Sequence, residues 1–228
     1  LAMLTRGGGS NGIGLAIPSN LVQNFVEQAQ AGETRFQRPW AGVQGQGMDA
    51  AMAEAMGLPR PEGVVLSDLH PESPFRAAGL QVGDVILSLD GAPTDSPQEI
   101  MFRLAAVGIG REVALRYLRD GVEAEAVVTL IAPPDSPPRE ARRIAGESVL
   151  RGATVARINP AVAAELDLPT AIASGIAVLG AEDLAARFGL LRGDVILGIN
   201  GVAVTDPAKV EALSAPTTRR WGIEVLRQ

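Results

Sequence analysis

Residues 79–91 read Gly-Leu-Gln-Val-Gly-Asp-Val-Ile-Leu-Ser-Leu-Asp-Gly, and this stretch recurs later in the chain. Residues 189–201, which lie 110 positions further on without a gap, read Gly-Leu-Leu-Arg-Gly-Asp-Val-Ile-Leu-Gly-Ile-Asn-Gly. Self-similarity at a fixed period indicates that one structural unit is used more than once. The 228 residues suffice for two such units, each with a core of its own, so we predict two domains of the same fold.

The first copy predicts a short helix, a strand and a tight hairpin. The helix covers Ser73 to Ala78 and stops at Gly79, which can adopt the left-handed conformation of a helix end. Val85-Ile86-Leu87 is typical of a buried strand. Asp90-Gly91 predicts a type I′ turn, because both residue types tolerate a positive φ. The second copy predicts the same elements, with its short helix over Asp183 to Arg187.

A longer helix and two strands complete the first copy. Ser96 and Glu99 have the spacing of a capping box around Pro97, which suits the first helical position. The remaining pattern predicts strands over Glu112 to Leu118 and Glu125 to Ile131. In the second copy, Asp206 and Pro207 occupy the helix start, but the copy reaches only the equivalent of the first of these strands, so we expect its final strand to be missing.

Composition excludes several classes of function. The net charge is −6 and the 20 Lys and Arg residues are scattered, which argues against binding to a nucleic-acid backbone. The absence of Cys excludes disulfides, thiolate zinc sites and cysteine nucleophiles. We predict no metal and no cofactor. Neither an apolar run near 18 residues nor a leader pattern is present, so we expect no membrane span or signal peptide within this sequence.

The order of loop, strand, short helix, Gly-Asp-Val-Ile strand, hairpin and longer helix resembles that of bacterial PDZ domains. Trp40-Ala41-Gly42-Val43 is similar to the carboxylate-binding loop of that family, and Gln44 continues into the strand to which a peptide would add. In the second copy, Leu150-Arg151-Gly152-Ala153 is the candidate loop, although Arg151 departs from the apolar pattern. The resemblance implies peptide binding by β-augmentation, in which a ligand pairs with a sheet edge.

The wall opposite that strand is predicted on the longer helix. Ile100, Met101 and Leu104 form an apolar stripe that would hold the last side chain of the ligand. The alternative is that these three residues belong to the core. Trp40 likewise has two candidate roles, either to shield the loop or to attach the domain to the preceding segment. We predict peptide contacts for Trp40, Ala41, Gly42, Val43, Gln44, Ile100, Met101, Leu104, Arg151, Gly152 and Ala153.

The N-terminal segment indicates to which group of PDZ-containing proteins the chain is similar. Residues 5–18, Thr-Arg-Gly-Gly-Gly-Ser-Asn-Gly-Ile-Gly-Leu-Ala-Ile-Pro, followed by Ser19-Asn20-Leu21-Val22, resemble the end of the trypsin-like domain of HtrA-type, DegP-like serine proteases. The predicted class is therefore mainly β with short helices (α+β). We expect two tandem PDZ-like, partly open β-barrels preceded by a remnant of a trypsin-like barrel domain. The predicted boundaries are 1–36 for the remnant, 37–132 and 141–228 for the PDZ domains, and 133–140 for a proline-rich linker.

No catalytic residue is predicted in this chain. A serine protease needs a His to accept the proton of the nucleophile and a carboxylate to orient that His. The only His, His70, precedes Pro71 in the loop before the first short helix, and nothing matches the family's Gly-Asn-Ser-Gly-Gly nucleophile segment. The resemblance implies that the parent protein is a serine endopeptidase, whereas this chain should be inactive alone.

The predicted function follows from the resemblance. The PDZ pair would capture extended or C-terminal polypeptide segments with apolar ends, as the substrate-binding part of an HtrA-type endopeptidase in protein quality control. The resemblance implies a periplasmic location and a homo-oligomeric full-length protein. The alternative is that the PDZ pair acts mainly as an oligomer-assembly module.

Overall fold

The structure is a computed structural model that describes residues 2–3, 14–15, 17–169, 172, 174–215 and 220–227. Most of the segment 5–18 that carries the protease resemblance lies outside these residues. The chain divides into two compact units, Leu1–Ala132 and Pro133–Gln228. Each unit contains a six-stranded antiparallel sheet with short helices. The predicted class is confirmed, and neither sheet closes into a complete barrel within the described part of the chain.

In the first unit, the sheet has the strand order β3-β4-β5-β7-β8, with β6 paired to β5. Strand β3 lies at an edge of this sheet. The elements of the unit, in chain order, are β1 (Ala2–Met3), β2 (Gly14–Leu15), α1 (Ser19–Gln30), β3 (Val43–Gly47), α2 (Ala50–Ala55), β4 (Val64–Leu69), α3 (Pro74–Ala77), β5 (Val85–Leu89), β6 (Ala92–Pro93), α4 (Pro97–Val107), β7 (Glu112–Arg119) and β8 (Val122–Thr129).

In the second unit, the sheet has the order β13-β12-β11-β10-β9, with β14 paired to β12. Strand β10 corresponds to β3, but it is flanked on both sides. The elements are β9 (Arg142–Arg143), β10 (Ala153–Arg157), α5 (Pro160–Glu165), β11 (Ile176–Ala181), α6 (Asp183–Arg187), β12 (Val195–Ile199), β13 (Val202–Ala203), α7 (Pro207–Leu213) and β14 (Ile223–Leu226).

The hairpins predicted from local sequence are present in both units. Asp90 and Gly91 have φ angles of 46° and 76°, and Asn200 and Gly201 have 51° and 76°. Each pair connects two antiparallel strands through a two-residue turn. The positive φ at both turn positions confirms the prediction of type I′ geometry.

Of the two hydrogen bonds of the capping box predicted at the start of α4, one is present. The Ser96 hydroxyl accepts the Glu99 N–H at 3.2 Å, and Pro97 is the first helical residue. The Glu99 carboxylate, however, accepts the Asp95 N–H at 3.3 Å rather than that of Ser96. The carboxylate therefore ties the preceding loop to the first helical turn.

A buried carboxylate occupies the turn before β5 and recurs before β12. The Asp84 carboxylate accepts a hydrogen bond from the Gln81 N–H at 2.8 Å, and the Asp194 carboxylate accepts one from the Leu191 N–H at 2.8 Å, so both stabilise their turns. Each also forms an ion pair that sequence reasoning missed, with Arg119 or Arg227 at 2.6 Å. Because both carboxylates are buried, these arginines supply the compensating charge.

Two helices were not predicted, and some boundaries differ. Helices α2 and α5 each follow an N-cap residue, Asp49 or Asn159, whose side chain accepts a hydrogen bond from a main-chain N–H of the first turn. The last strand of the first unit, β8, covers Val122–Thr129, earlier than the predicted 125–131, because it pairs along the whole of β7. No described helix is long and apolar enough to cross a membrane.

The proline-rich segment lies against the second unit. The Pro134 carbonyl accepts the Ala161 N–H at 3.1 Å, and the Asn159 side chain donates to the Pro137 carbonyl at 2.7 Å. These bonds attach the predicted linker segment to the start of α5.

Candidate functional site

The loop that leads into β3 is held by hydrogen bonds to its carbonyl groups. The Ala41 carbonyl accepts the Ser73 hydroxyl at 2.7 Å, and the Gly42 carbonyl accepts the His70 N–H at 2.8 Å. The Trp40 N–H donates to the Ile131 carbonyl at 2.8 Å, which fixes the start of the loop. Within the described part of the chain, the amides of Ala41 and Gly42 have no acceptor. A loop with engaged carbonyls and unpaired amides is suited to bind an anion such as a carboxylate.

Gly42 is required by the local geometry. Its φ is +61°, and a Cβ atom at this position would lie 2.5 Å from Cη2 of the Trp40 indole. The indole also contacts the His70 ring edge-on, with centroids 5.1 Å apart. The indole therefore lies against the loop, while the main chain of Trp40 pairs with Ile131 of the same unit rather than with the preceding segment.

Helix α4 contacts strand β3, which lies at an edge of the described sheet, so these two elements are the candidate walls of a groove. Of its three predicted contact residues, Ile100 and Leu104 are buried in the core cluster of the first unit. Met101 is 41% exposed and so remains accessible. On the opposite wall, Val43 packs partly against the core and Gln44 is exposed. The structure thus brings the predicted residues of the first unit to one region.

Helix α1 forms hydrogen bonds with helix α4 and with Gln37, which precedes the loop. The Asn24 side-chain amide donates to the Ala105 and Ala106 carbonyls of the last turn of α4, at 3.1 and 2.9 Å. The Gln28 amide both donates to the Gln37 carbonyl and accepts the Gln37 N–H, at 2.9 and 2.7 Å. These contacts were not predicted from the sequence.

The candidate loop of the second unit has a different set of partners. Arg151 is exposed, and its N–H donates to the Ser148 carbonyl at 3.1 Å. Gly152 has a φ of +91°, and a Cβ there would collide with the Glu182 backbone. The Gly152 N–H donates to the Ile144 carbonyl at 2.9 Å, and the Ala153 carbonyl accepts the Ile144 N–H at 2.8 Å. The chain's own segment therefore occupies the groups that a ligand would use.

No metal site was found in the described residues, which contain no cluster of three or more His, Cys, Asp or Glu side chains able to hold an ion. The contacts of His70 are with neighbouring residues of its own unit. Its Nδ1 accepts the Glu72 N–H at 3.2 Å while its ring contacts Trp40.

Comparison with known families decides the fold of the first unit, where residues 39–130 match the PDZ domain family. The PDZ domain so defined contains the loop around Gly42, strand β3 and helix α4, and the predicted resemblance is confirmed for this unit.

The whole chain, including this PDZ domain, is also similar to serine endoproteases. It is 32% identical to the "Probable periplasmic serine endoprotease DegP-like" of Marinomonas sp. (strain MWYL1), over 98% of this chain and 47% of that protein. It is 34% identical to the "Periplasmic pH-dependent serine endoprotease DegQ" of Escherichia coli (strain K12), over 99% and 47%. The chain thus spans about half the length of these relatives, and the predicted resemblance to DegP-like proteases is confirmed. Among solved structures, "HtrA-type protease AlgW with decapeptide" is 28% identical, covering 60% of this chain and 41% of that one, with a TM-score of 0.43.

Proposed function

We propose that the first unit captures extended polypeptide ends in the groove between β3 and α4. The observation that carries this proposal is the edge position of β3, which continues from a loop whose Ala41 and Gly42 amides are unpaired in the described structure. A peptide that adds to β3 gains main-chain hydrogen bonds irrespective of its sequence. The terminal carboxylate of the peptide would accept hydrogen bonds from the free N–H groups of Ala41 and Gly42 in the loop.

Selectivity would come from the helical wall. Met101 is exposed beside the groove, and a flexible thioether adapts to apolar side chains of different shape. Ile100 and Leu104 of the same helix lie in the core cluster of the first unit. We therefore expect a preference for an apolar last residue rather than for one particular sequence.

The role in the full-length protein rests on the relatives. The similar proteins are named serine endoproteases, and this chain corresponds to about half of each. We propose that the chain is the substrate-binding part of an HtrA-type endopeptidase that acts in protein quality control in the periplasm. In this proposal, residues 1–36 end the protease domain, and residues 37–132 and 141–228 are two PDZ domains separated by the segment 133–140.

The test uses the isotope-labelled 228-residue chain and a synthetic hexapeptide that ends in valine. We expect peptide addition to shift the amide NMR signals of Ala41, Gly42, Val43 and Gln44. The same peptide with an amidated C-terminus should bind at least tenfold more weakly, because it cannot offer a carboxylate to the loop. Equal affinity of the two peptides, or shifts confined to other regions, would refute the assigned groove.

Two variants on α4 distinguish a specific effect on peptide binding in the groove from the general effect of adding a charge to the helix. Met101→Glu places a charge beside the bound apolar side chain and should weaken binding at least tenfold. Phe102→Glu is the matched control. Phe102 is also exposed, but as the next residue along the helix it lies on a different face from Met101. Light scattering of the same samples tests the assembly alternative, in which the peptide should dissociate an existing oligomer.

A further inference from the structure

The second groove differs from the first because its ligand edge is already paired. We infer that residues 139–144, here called the strap, are a built-in peptide ligand of the second unit. This inference goes beyond the proposed function of the first groove and stands on contacts within the second unit alone. It assigns the second groove a ligand of defined chemistry, an extended segment that ends in an apolar residue.

Main-chain hydrogen bonds run along the full length of β10. The Arg157 N–H donates to the Arg139 carbonyl at 2.7 Å at one end. In the middle, Arg142 and Arg143 form β9 and pair antiparallel with Val155 and Thr154. At the other end Ile144 bonds to the loop that precedes β10. A strand added antiparallel to a sheet edge is the geometry of β-augmentation, here supplied by the same chain.

Ile144 takes the position of a ligand's last residue. Its carbonyl accepts the N–H of Gly152, which is the equivalent of Gly42 in the first loop. Its side chain is fully buried in one cluster with Leu150 and Val210. Val210 lies on α7 at the position that Ile100 has on α4, 110 residues earlier. The carbonyl thus replaces the carboxylate of a free peptide, and the side chain fills the pocket.

Charged side chains fasten the strap at both ends. Arg143 pairs with Glu182 at 2.7 Å, close to the second loop. Arg139 pairs with Glu165 at 2.7 Å and with Asp135 at 3.0 Å. Partly exposed ion pairs such as these contribute little individually, so Ile144 and the backbone pairing carry most of the attachment.

The described residues of the first unit include no equivalent of the strap. Residues 29–34, which correspond to 139–144, form the end of α1 and the turn after it, and no described strand pairs with the outer edge of β3. External peptides would therefore compete for the first groove alone, and they would reach the second only after the strap has left β10.

Hydrogen exchange of the unaltered full chain gives the first test. We expect the amides of Ile144 and Gly152 to exchange at least tenfold more slowly than those of Ala41 and Gly42, because the former pair is bonded. Exchange of the Gly152 amide at the rate of an unprotected peptide would overturn the inference, and this measurement does not depend on any variant folding.

Replacement of Ile144, the residue at the end of the strap, gives the second test. The probe is the free peptide Arg-Glu-Ala-Arg-Arg-Ile, a copy of residues 139–144 with a terminal carboxylate. In the unaltered chain it should not shift the signals of Gly152 and Ala153, whereas in Ile144→Ala it should shift both. Ile199→Ala is the matched control, because Ile199 is an equally buried isoleucine on β12. Equal shifts in the unaltered chain and in Ile144→Ala, or equal responses of the two variants, would refute a built-in ligand. Such shifts report on the second unit and leave the first groove to be judged by its own signals.

Discussion

Replacement of Gly42 by alanine should disrupt the first loop through its contact with Trp40. At a φ of +61° the added methyl group would point into the indole, 2.5 to 2.9 Å from three ring atoms. Gly91→Ala is the matched control. Gly91 has a φ of +76° in the β5–β6 turn, with nothing within 4 Å of an added Cβ.

The comparison isolates the cost of the contact. A left-handed backbone costs a non-glycine residue about 1–2 kcal/mol, and this cost applies to both positions. The lower entropy of the unfolded chain returns about 0.4–1 kcal/mol in both variants. Overpacking against the ring adds about 1–3 kcal/mol, and only at Gly42. We therefore expect Gly42→Ala to lower the free energy of unfolding of the first unit by about 1–3 kcal/mol more than Gly91→Ala does.

The assay is a urea titration of the full chain, followed by amide NMR signals of first-unit residues so that the two units are read separately. Peptide affinity is measured on the same samples. It should fall at least tenfold in Gly42→Ala, because the indole or the loop must move, and should change less than twofold in Gly91→Ala. Unfolding free energies that agree within about 0.5 kcal/mol would refute the argument that the indole requires glycine.

Three further predictions concern the buried ion pair and helix α1. Asp194→Asn keeps an acceptor for the turn but removes the charge that pairs with Arg227, and should destabilise the second unit by about 1–3 kcal/mol in a urea titration. Hydrogen bonds from Arg227 lower the pKa of Asp194 below its ordinary value of 3.8, so the stabilisation is complete above that value and is lost as the pH falls through the lower folded-state pKa. An acid titration of the unaltered chain and of Asp194→Asn should therefore converge in stability at low pH, and parallel curves would contradict this assignment. Asn24→Ala removes two bonds to the last turn of α4 and should speed hydrogen exchange in α1 at least fivefold, while Gln23→Ala, which loses only a bond to Glu27 within the same helix, should not.

Signals that act over a few residues were sufficient to predict much of the fold. The turns at Asp90-Gly91 and Asn200-Gly201 depend on which residues tolerate a positive φ. The start of α4 depends on Ser96 and Pro97, whose effects are equally local. Helices α2 and α5 were missed although the same kind of signal was present. Asn159 is followed by Pro160, and this pair marks the start of α5.

Contacts between distant segments could not be predicted in the same way. The arginine partner of Asp84 lies 35 positions later, and many exposed arginines in the sequence are equally plausible partners. The position of α1 against α4 depends on Asn24 meeting carbonyls 81 and 82 positions away. A long-range partner depends on where the folded sheet places each strand, which no local pattern records.

By itself, the sequence determined that the chain contains two copies of one unit, because a repeat is visible in the order of residues, and its resemblance to PDZ domains predicted a candidate peptide-binding loop in the first copy. It could not determine whether either groove is open. The loops at Trp40-Ala41-Gly42-Val43 and Leu150-Arg151-Gly152-Ala153 occupy equivalent positions, yet β3 has a free edge and β10 is paired with Arg142 and Arg143. Only the tertiary structure decided this difference, because strand pairing is made by backbone groups that every residue possesses, and their partners are set by the path of the chain.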